Sequence, residues 1–81
     1  MRFGTFLKTA REIRKLSIRD VEKKSGVSNQ HICQIENRHI SNAGFLIIVK
    51  LARALKVPIS RVAEAALKDE KERLAMEKKE D

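Results

Sequence analysis

Residues 16–38, LSIRDVEKKSGVSNQHICQIENR, decide the fold of this chain. Ser17 followed three residues later by Asp20 is an acidic variant of the helix capping box. This pair predicts a helix over residues 18–25. Gly26 then predicts the end of that helix, because glycine enters the left-handed conformation of a tight turn at little cost.

A second helix is predicted directly after the turn. Ser28 is a favourable N-cap, and Ile32 and Ile35 stand three residues apart on one apolar side, which places the helix end near Asn37. The other side carries hydrogen-bonding groups: Asn29, Gln30, His31 and Gln34. Amides neither favour helix formation strongly nor bury well, so this polar face is unusual for a purely structural helix. Two short helices joined by a tight turn predict a helix-turn-helix unit.

Helical patterns extend over the rest of the chain, and no strand alternation is present. Apolar spacing predicts helix 1 over residues 3–15. Helix 4 is predicted to have Ser41 or Asn42 as its N-cap and is apolar over more than one face. Pro58 fits the first turn of helix 5.

Length and charge indicate the number of domains and the kind of partner. The 81 residues suit one domain, predicted over residues 1–67, followed by a charged helical extension or frayed tail over residues 68–81. Residues 1–61 hold 13 Lys/Arg and 4 Asp/Glu, whereas residues 62–81 hold 5 and 7. The basic part suits a polyanion, although basic residues also serve as a solubilising surface.

Other features point to an intracellular protein. No apolar run approaches the ~18 residues that span a bilayer, and charges interrupt the start of the chain before a signal peptide forms. The single cysteine, Cys33, excludes an internal disulfide. We therefore expect a cytoplasmic location. Neither a phosphate-binding glycine loop nor a Ser/His/Asp set indicates an enzyme, and no cofactor is expected. His31 and Cys33 lie about 200° apart on a helix, so no metal site is expected.

The chain resembles the lambda-repressor-like helix-turn-helix family, the Cro and phage-repressor type. Residues 16–38 and the stretch IVKLARALKVPISRV carry the resemblance, which covers roughly residues 3–66. It implies an all-α, compact five-helix DNA-binding domain with helices 2 and 3 as the helix-turn-helix. It also implies a structural pair between Arg11 and Glu36.

Three positions depart from the family pattern. Glu22 replaces a small alanine, so either its side chain swings outward or the helices pack differently. Ile18 replaces a phosphate-binding glutamine, and Arg38 replaces the glycine after helix 3. Asn37 is then the residue best suited to a left-handed cap.

The resemblance implies that helix 3 enters the major groove of double-stranded DNA. Amides match the donor and acceptor edge of adenine, and the expected base-reading residues are Asn29, Gln30, Gln34 and His31. Cys33 flanks this face, and its thiol is either a spectator or a group whose oxidation blocks DNA binding. The expected DNA-backbone contacts are Arg19, Ser28, Asn37, Arg38, His39, Ser41 and Asn42.

Phage-type repressors bind palindromic operators as homodimers, which the resemblance implies here. Residues expected at the interface are Phe45, Leu46, Val49, Val62, Ala66 and Leu67, although they would also serve to close a monomer core. The expected function is a bacterial or phage-encoded, nucleoid-associated repressor. The alternatives are an antitoxin, a restriction–modification controller, or an adaptor that binds a protein partner such as a toxin or antirepressor through helix 4 and the tail.

Overall fold

A computed structural model describes the backbone of residues 2–79 and the side chains of residues 2–76. Five α-helices account for most of this part of the chain, which contains no strand. They are α1 (Phe3–Ile13), α2 (Ile18–Ser25), α3 (Asn29–Arg38), α4 (Phe45–Leu55) and α5 (Ile59–Lys79). The all-α, five-helix prediction is confirmed, and none of the described helices is long and apolar enough to cross a membrane.

The α2 helix begins where the capping box predicts. The Asp20 backbone N–H donates to Ser17 Oγ over 3.1 Å, and the Ser17 N–H donates to Asp20 Oδ2 over 2.8 Å. The bond from the Ser17 backbone lowers the pKa of the Asp20 carboxyl. The stabilisation is therefore present above the ordinary carboxyl pKa and is lost as the pH falls through the lower folded-state pKa. At the other end, Gly26 adopts the left-handed conformation with φ 78°.

The core lies where all five helices converge. Helix α1 packs on α3 and α5, α2 packs on α3 and α4, and α4 packs on α5. The buried apolar residues are Phe3, Leu7, Val21, Val27, Ile32, Ile35, Leu51, Ala52, Ala54, Leu55 and Val62. Because α2 and α3 both bury their apolar sides here, the opposite side of α3 is held toward solvent.

Helices α1 and α3 approach unusually closely at Gly4. A Cβ atom at this position would lie 2.0 Å from the backbone oxygen of Glu36 and 2.8 Å from His39 Nδ1. No side chain larger than a hydrogen fits between the two helices, so Gly4 sets the distance between α1 and the end of α3.

The predicted caps at the end of α3 and the start of α4 are wrong. Helix α3 continues through Arg38 and is capped by left-handed His39 (φ 53°), not by Asn37. Helix α4 begins at Phe45 after Gly44, whose φ of 106° is one that glycine adopts readily. Neither Ser41 nor Asn42 caps it, since both lie in the preceding turn.

Two smaller differences affect α1 and α5. Helix α1 ends at Ile13 rather than at residue 15, because Lys15 adopts a left-handed conformation (φ 56°). Pro58 precedes α5 instead of lying in its first turn, and its carbonyl accepts from the N–H groups of Arg61 and Val62.

Helix α5 passes without a break across the predicted boundary between residues 67 and 68. Asp69 is 7% exposed, and its Oδ1 lies 3.7 Å from Arg2 Nε. Ser41 Oγ donates to Glu70 Oε2 over 3.3 Å. The start of the charged extension therefore packs against the rest of the fold.

Candidate nucleic-acid interface

The exposed side of α3 forms a shallow groove of about 440 Å³. Its lining residues are Asn29, Gln30, Cys33, Gln34, Asn37 and Arg38. Their spacing follows one side of a helix with 3.6 residues per turn. The opposite side of α3 buries Ile32, Ile35 and Glu36, so the core fixes the orientation of the groove.

Two side chains cap the N-terminus of α3. Ser28 Oγ accepts from the His31 N–H over 3.2 Å, and Glu22 Oε2 accepts from the Asn29 N–H over 2.7 Å. Glu22 therefore turns toward α3 rather than outward, and it brings negative charge to the positive end of the helix dipole. The residue that departs from the family pattern thus anchors the start of the polar face.

Arg11 and Glu36 form the pair that the resemblance implies. Arg11 Nε donates to Glu36 Oε2 over 2.9 Å, and Arg11 Nη2 donates to Oε1 over 3.1 Å. Arg11 Nη1 also donates to the backbone oxygen of Leu16 over 2.9 Å. The hydrogen bond to Glu36 raises the pKa of Arg11 above its ordinary value. One side chain thus ties α1 to α3 and to the loop before α2.

The groove includes Cys33, which was predicted to lie at the edge of the polar face. It does not include His31, which was predicted to read bases. Cys33 lies between Asn29 and Asn37 on the helix surface, and its Sγ accepts from Asn37 Nδ2 over 3.2 Å. His31 lies about 200° around the helix from Asn29 and does not line the groove. Counting 100° per residue from Asn29 places Cys33 at about 40°, so helical periodicity alone would have included Cys33 in the groove.

The expected backbone-contact residues do not form one group. Asn37 and Arg38 line the α3 groove instead. The Ser28 and Ser41 hydroxyls already bond within the protein. His39 is half-buried, and among the residues that the structure describes its buried Nδ1 has no hydrogen-bond partner. The other two, Arg19 and Asn42, are exposed.

The residues expected at the dimer interface differ in their exposure to solvent. Phe45, Leu46 and Leu67 are 75%, 69% and 62% exposed, whereas Val49 and Ala66 are half-buried. Val62 is fully buried in the core of the monomer, so its inclusion in an interface was wrong. It faces the other helices rather than the solvent.

Charge on α3 favours a polyanion at the groove. Glu36 is the only acidic residue of α3, and it is buried against Arg11, while Arg38 is exposed at the groove edge. An exposed helix with amides and no free carboxylate, supported by a second helix across a tight turn, defines a DNA-binding regulator of the helix-turn-helix class.

The comparisons with known proteins agree with this class. The chain belongs to the helix-turn-helix family, whose model matches residues 7–62, and it is a DNA-binding transcriptional regulator. The chain is similar to the solved restriction-modification controller protein C.AhdI from Aeromonas hydrophila, with 28% identity and a TM-score of 0.67. That match covers 74% of this chain and 89% of C.AhdI. No curated protein matches the chain.

Proposed function

We propose that this regulator binds an inverted-repeat operator as a homodimer, with one α3 helix in each of two successive major grooves. The polar groove of α3 carries the proposal, because six of its residues face outward together. One such helix reads only a few base pairs. Two helices about 34 Å apart on a twofold axis read a site of useful length.

Base reading falls to the amides Asn29, Gln30 and Gln34. Each offers a donor and an acceptor that match N6 and N7 of adenine. Gln30 and Gln34 are exposed, so they reach a base edge without unfolding the helix. Exposed Arg19, Arg38 and Asn42 are the proposed phosphate contacts, which set the register without reading sequence.

The dimer contact in this proposal uses Phe45, Leu46 and Leu67. Large apolar side chains that are more than 60% exposed lose that exposure when two copies associate. The half-buried residues Val49 and Ala66 complete the interface. A homodimer also has the twofold symmetry that an inverted repeat requires.

The similarity to a restriction-modification controller protein gives a second candidate function for this chain. The matched region spans 89% of C.AhdI, so a controller of this kind, acting at the nucleoid of a bacterial or phage-infected cell, is the second candidate. A neighbouring endonuclease gene would favour the controller role, a divergent promoter a repressor, and a neighbouring toxin gene an antitoxin.

Titration by fluorescence anisotropy tests the proposal. The protein is titrated against its own upstream intergenic DNA and against random duplex at two salt concentrations. We expect a preference of ~10³-fold or more for the upstream DNA, with two protein chains per site. Weak, equal and steeply salt-dependent binding to both duplexes would contradict the proposal, because charge alone would then explain it.

Removing one amide should weaken specific binding selectively. We expect Gln34→Ala to cost about 1–3 kcal/mol on the specific site and little on random DNA, because a base contact is lost and no phosphate contact changes. Ser60→Ala, an exposed polar residue on α5, is the matched control and should bind as wild type. Equal losses of Gln34→Ala on both duplexes would show that this amide does not read sequence.

A further inference from the structure

Cys33 lies inside the α3 groove, but base reading by the amides gives it no role. Among the six residues that line the groove, it is the only one without a strongly hydrogen-bonding amide or guanidinium group. Its side chain is half-buried, and a free cysteine in such a position behaves as a small hydrophobic residue. The groove therefore contains one apolar point within a polar surface.

Longer side chains surround Cys33 on the exposed face of the helix. Asn29 and Asn37 lie four residues before and after it, and Gln30 and Gln34 lie beside it. All four are amides that extend beyond the γ position, where the cysteine side chain ends. The sulfur is therefore the apolar floor of a recess whose rim is made of amides.

A hydrogen bond from Asn37 orients the sulfur at this place. Asn37 Nδ2 donates to Cys33 Sγ over 3.2 Å. Because a thiol sulfur is only a weak acceptor, this bond uses its polar capacity and leaves the rest of its surface for van der Waals contact. The recess is thus suited to an apolar group and not to a further hydrogen-bond donor.

The major groove of B-DNA presents one apolar group that fits this description. Thymine carries a C5 methyl group there, whereas the edges of the other bases are recognised by their donors and acceptors. Small apolar side chains read thymine by contact with this methyl group. A recess with an apolar floor and an amide rim matches a thymine whose neighbours are read by hydrogen bonds.

We infer that Cys33, held by Asn37, selects thymine at one position of each half-site by packing its sulfur on the C5 methyl group. The inference rests on the proposed binding of α3 in the major groove and adds a specificity-determining residue to the amides. Cys33 is about 4.5 Å along the helix axis from Gln30 and about 1.5 Å from Gln34. The thymine therefore lies within two base pairs, at ~3.4 Å each, of the bases that these amides read.

Deoxyuridine substitution tests the inference, because it removes the C5 methyl group and keeps the hydrogen-bonding groups of the base. Each thymine of the upstream DNA is replaced in turn in both half-sites, and the duplexes are titrated by fluorescence anisotropy under reducing conditions. At one position we expect wild-type binding to weaken about 15-fold, because each half-site loses a methyl contact worth about fourfold. In Cys33→Ala, the same substitution should change binding less than about twofold.

Cys33→Ser is the matched variant, since its hydroxyl is similar in size and still accepts from Asn37. It should also lose the dependence on the methyl group, because burying a hydroxyl against an apolar group is unfavourable. A serine variant that keeps the wild-type dependence would overturn the inference, since the contact would then not be apolar. Circular dichroism establishes that each variant remains folded.

The outcomes separate this inference from the proposed function. If the wild type prefers the upstream DNA but no thymine shows a methyl effect that depends on Cys33, the proposed function stands and the inference is wrong. The inference is also wrong if Cys33→Ala loses affinity equally on every duplex and keeps the methyl effect, because the cysteine then only supports the helix. If the wild type binds upstream and random DNA equally, both fail.

Discussion

Replacing Gly4 with alanine should lower the free energy of unfolding by about 3 kcal/mol or more. The added Cβ would lie 2.0 Å from the Glu36 backbone oxygen, a separation that real Cβ atoms essentially never show. The obstructing atom belongs to the backbone of α3, so no side-chain rotation relieves the contact and the two helices must separate. A domain of this size has only about 4–12 kcal/mol of stability in total. Urea denaturation followed by circular dichroism measures the loss.

Gly26→Ala is the matched control for that prediction. Gly26 also has a conformation that glycine favours, with φ 78°, but no atom of the described residues lies within 4 Å of an added Cβ. Its substitution should therefore cost only about 1 kcal/mol, because an alanine is strained in the left-handed conformation by about that amount. A larger loss at Gly26 than at Gly4 would contradict the close approach of α1 and α3.

The two ends of α2 could be predicted from the sequence, because each depends on residues within one helical turn. The capping box fixed the start of α2, and Gly26 fixed its end, because both depend on hydrogen bonds and dihedral angles within a few residues. The excess apolar surface of α4 was also visible from composition, and Phe45 and Leu46 are indeed exposed.

Long-range contacts account for what the sequence did not reveal. Ser41 is a good N-cap by type, but its hydroxyl bonds to Glu70, 29 residues away, and α4 starts later at Phe45. The close approach at Gly4 depends in the same way on where α3 ends. Within the candidate site, the amides follow from the resemblance and the helical spacing. The contact between Cys33 and Asn37 required the side-chain geometry.

Replacing Arg11 with leucine should cost about as much stability as the change at Gly4. In Arg11→Leu, the Glu36 carboxylate stays buried, with 6% of its side chain exposed in the wild type, and it loses both hydrogen bonds from the guanidinium. An uncompensated buried charge costs about 3–5 kcal/mol. Thermal unfolding at pH 7 measures the loss.

The double variant Arg11→Leu/Glu36→Leu separates the buried charge from the packing. Replacing both partners with apolar residues removes the uncompensated carboxylate, so the double variant should be more stable than Arg11→Leu alone. It should remain below wild type by about 1–3 kcal/mol, because the Leu16 carbonyl still loses the Arg11 Nη1 donor. A double variant that is less stable than the single one would show that the pair is net stabilising beyond the burial of its charges.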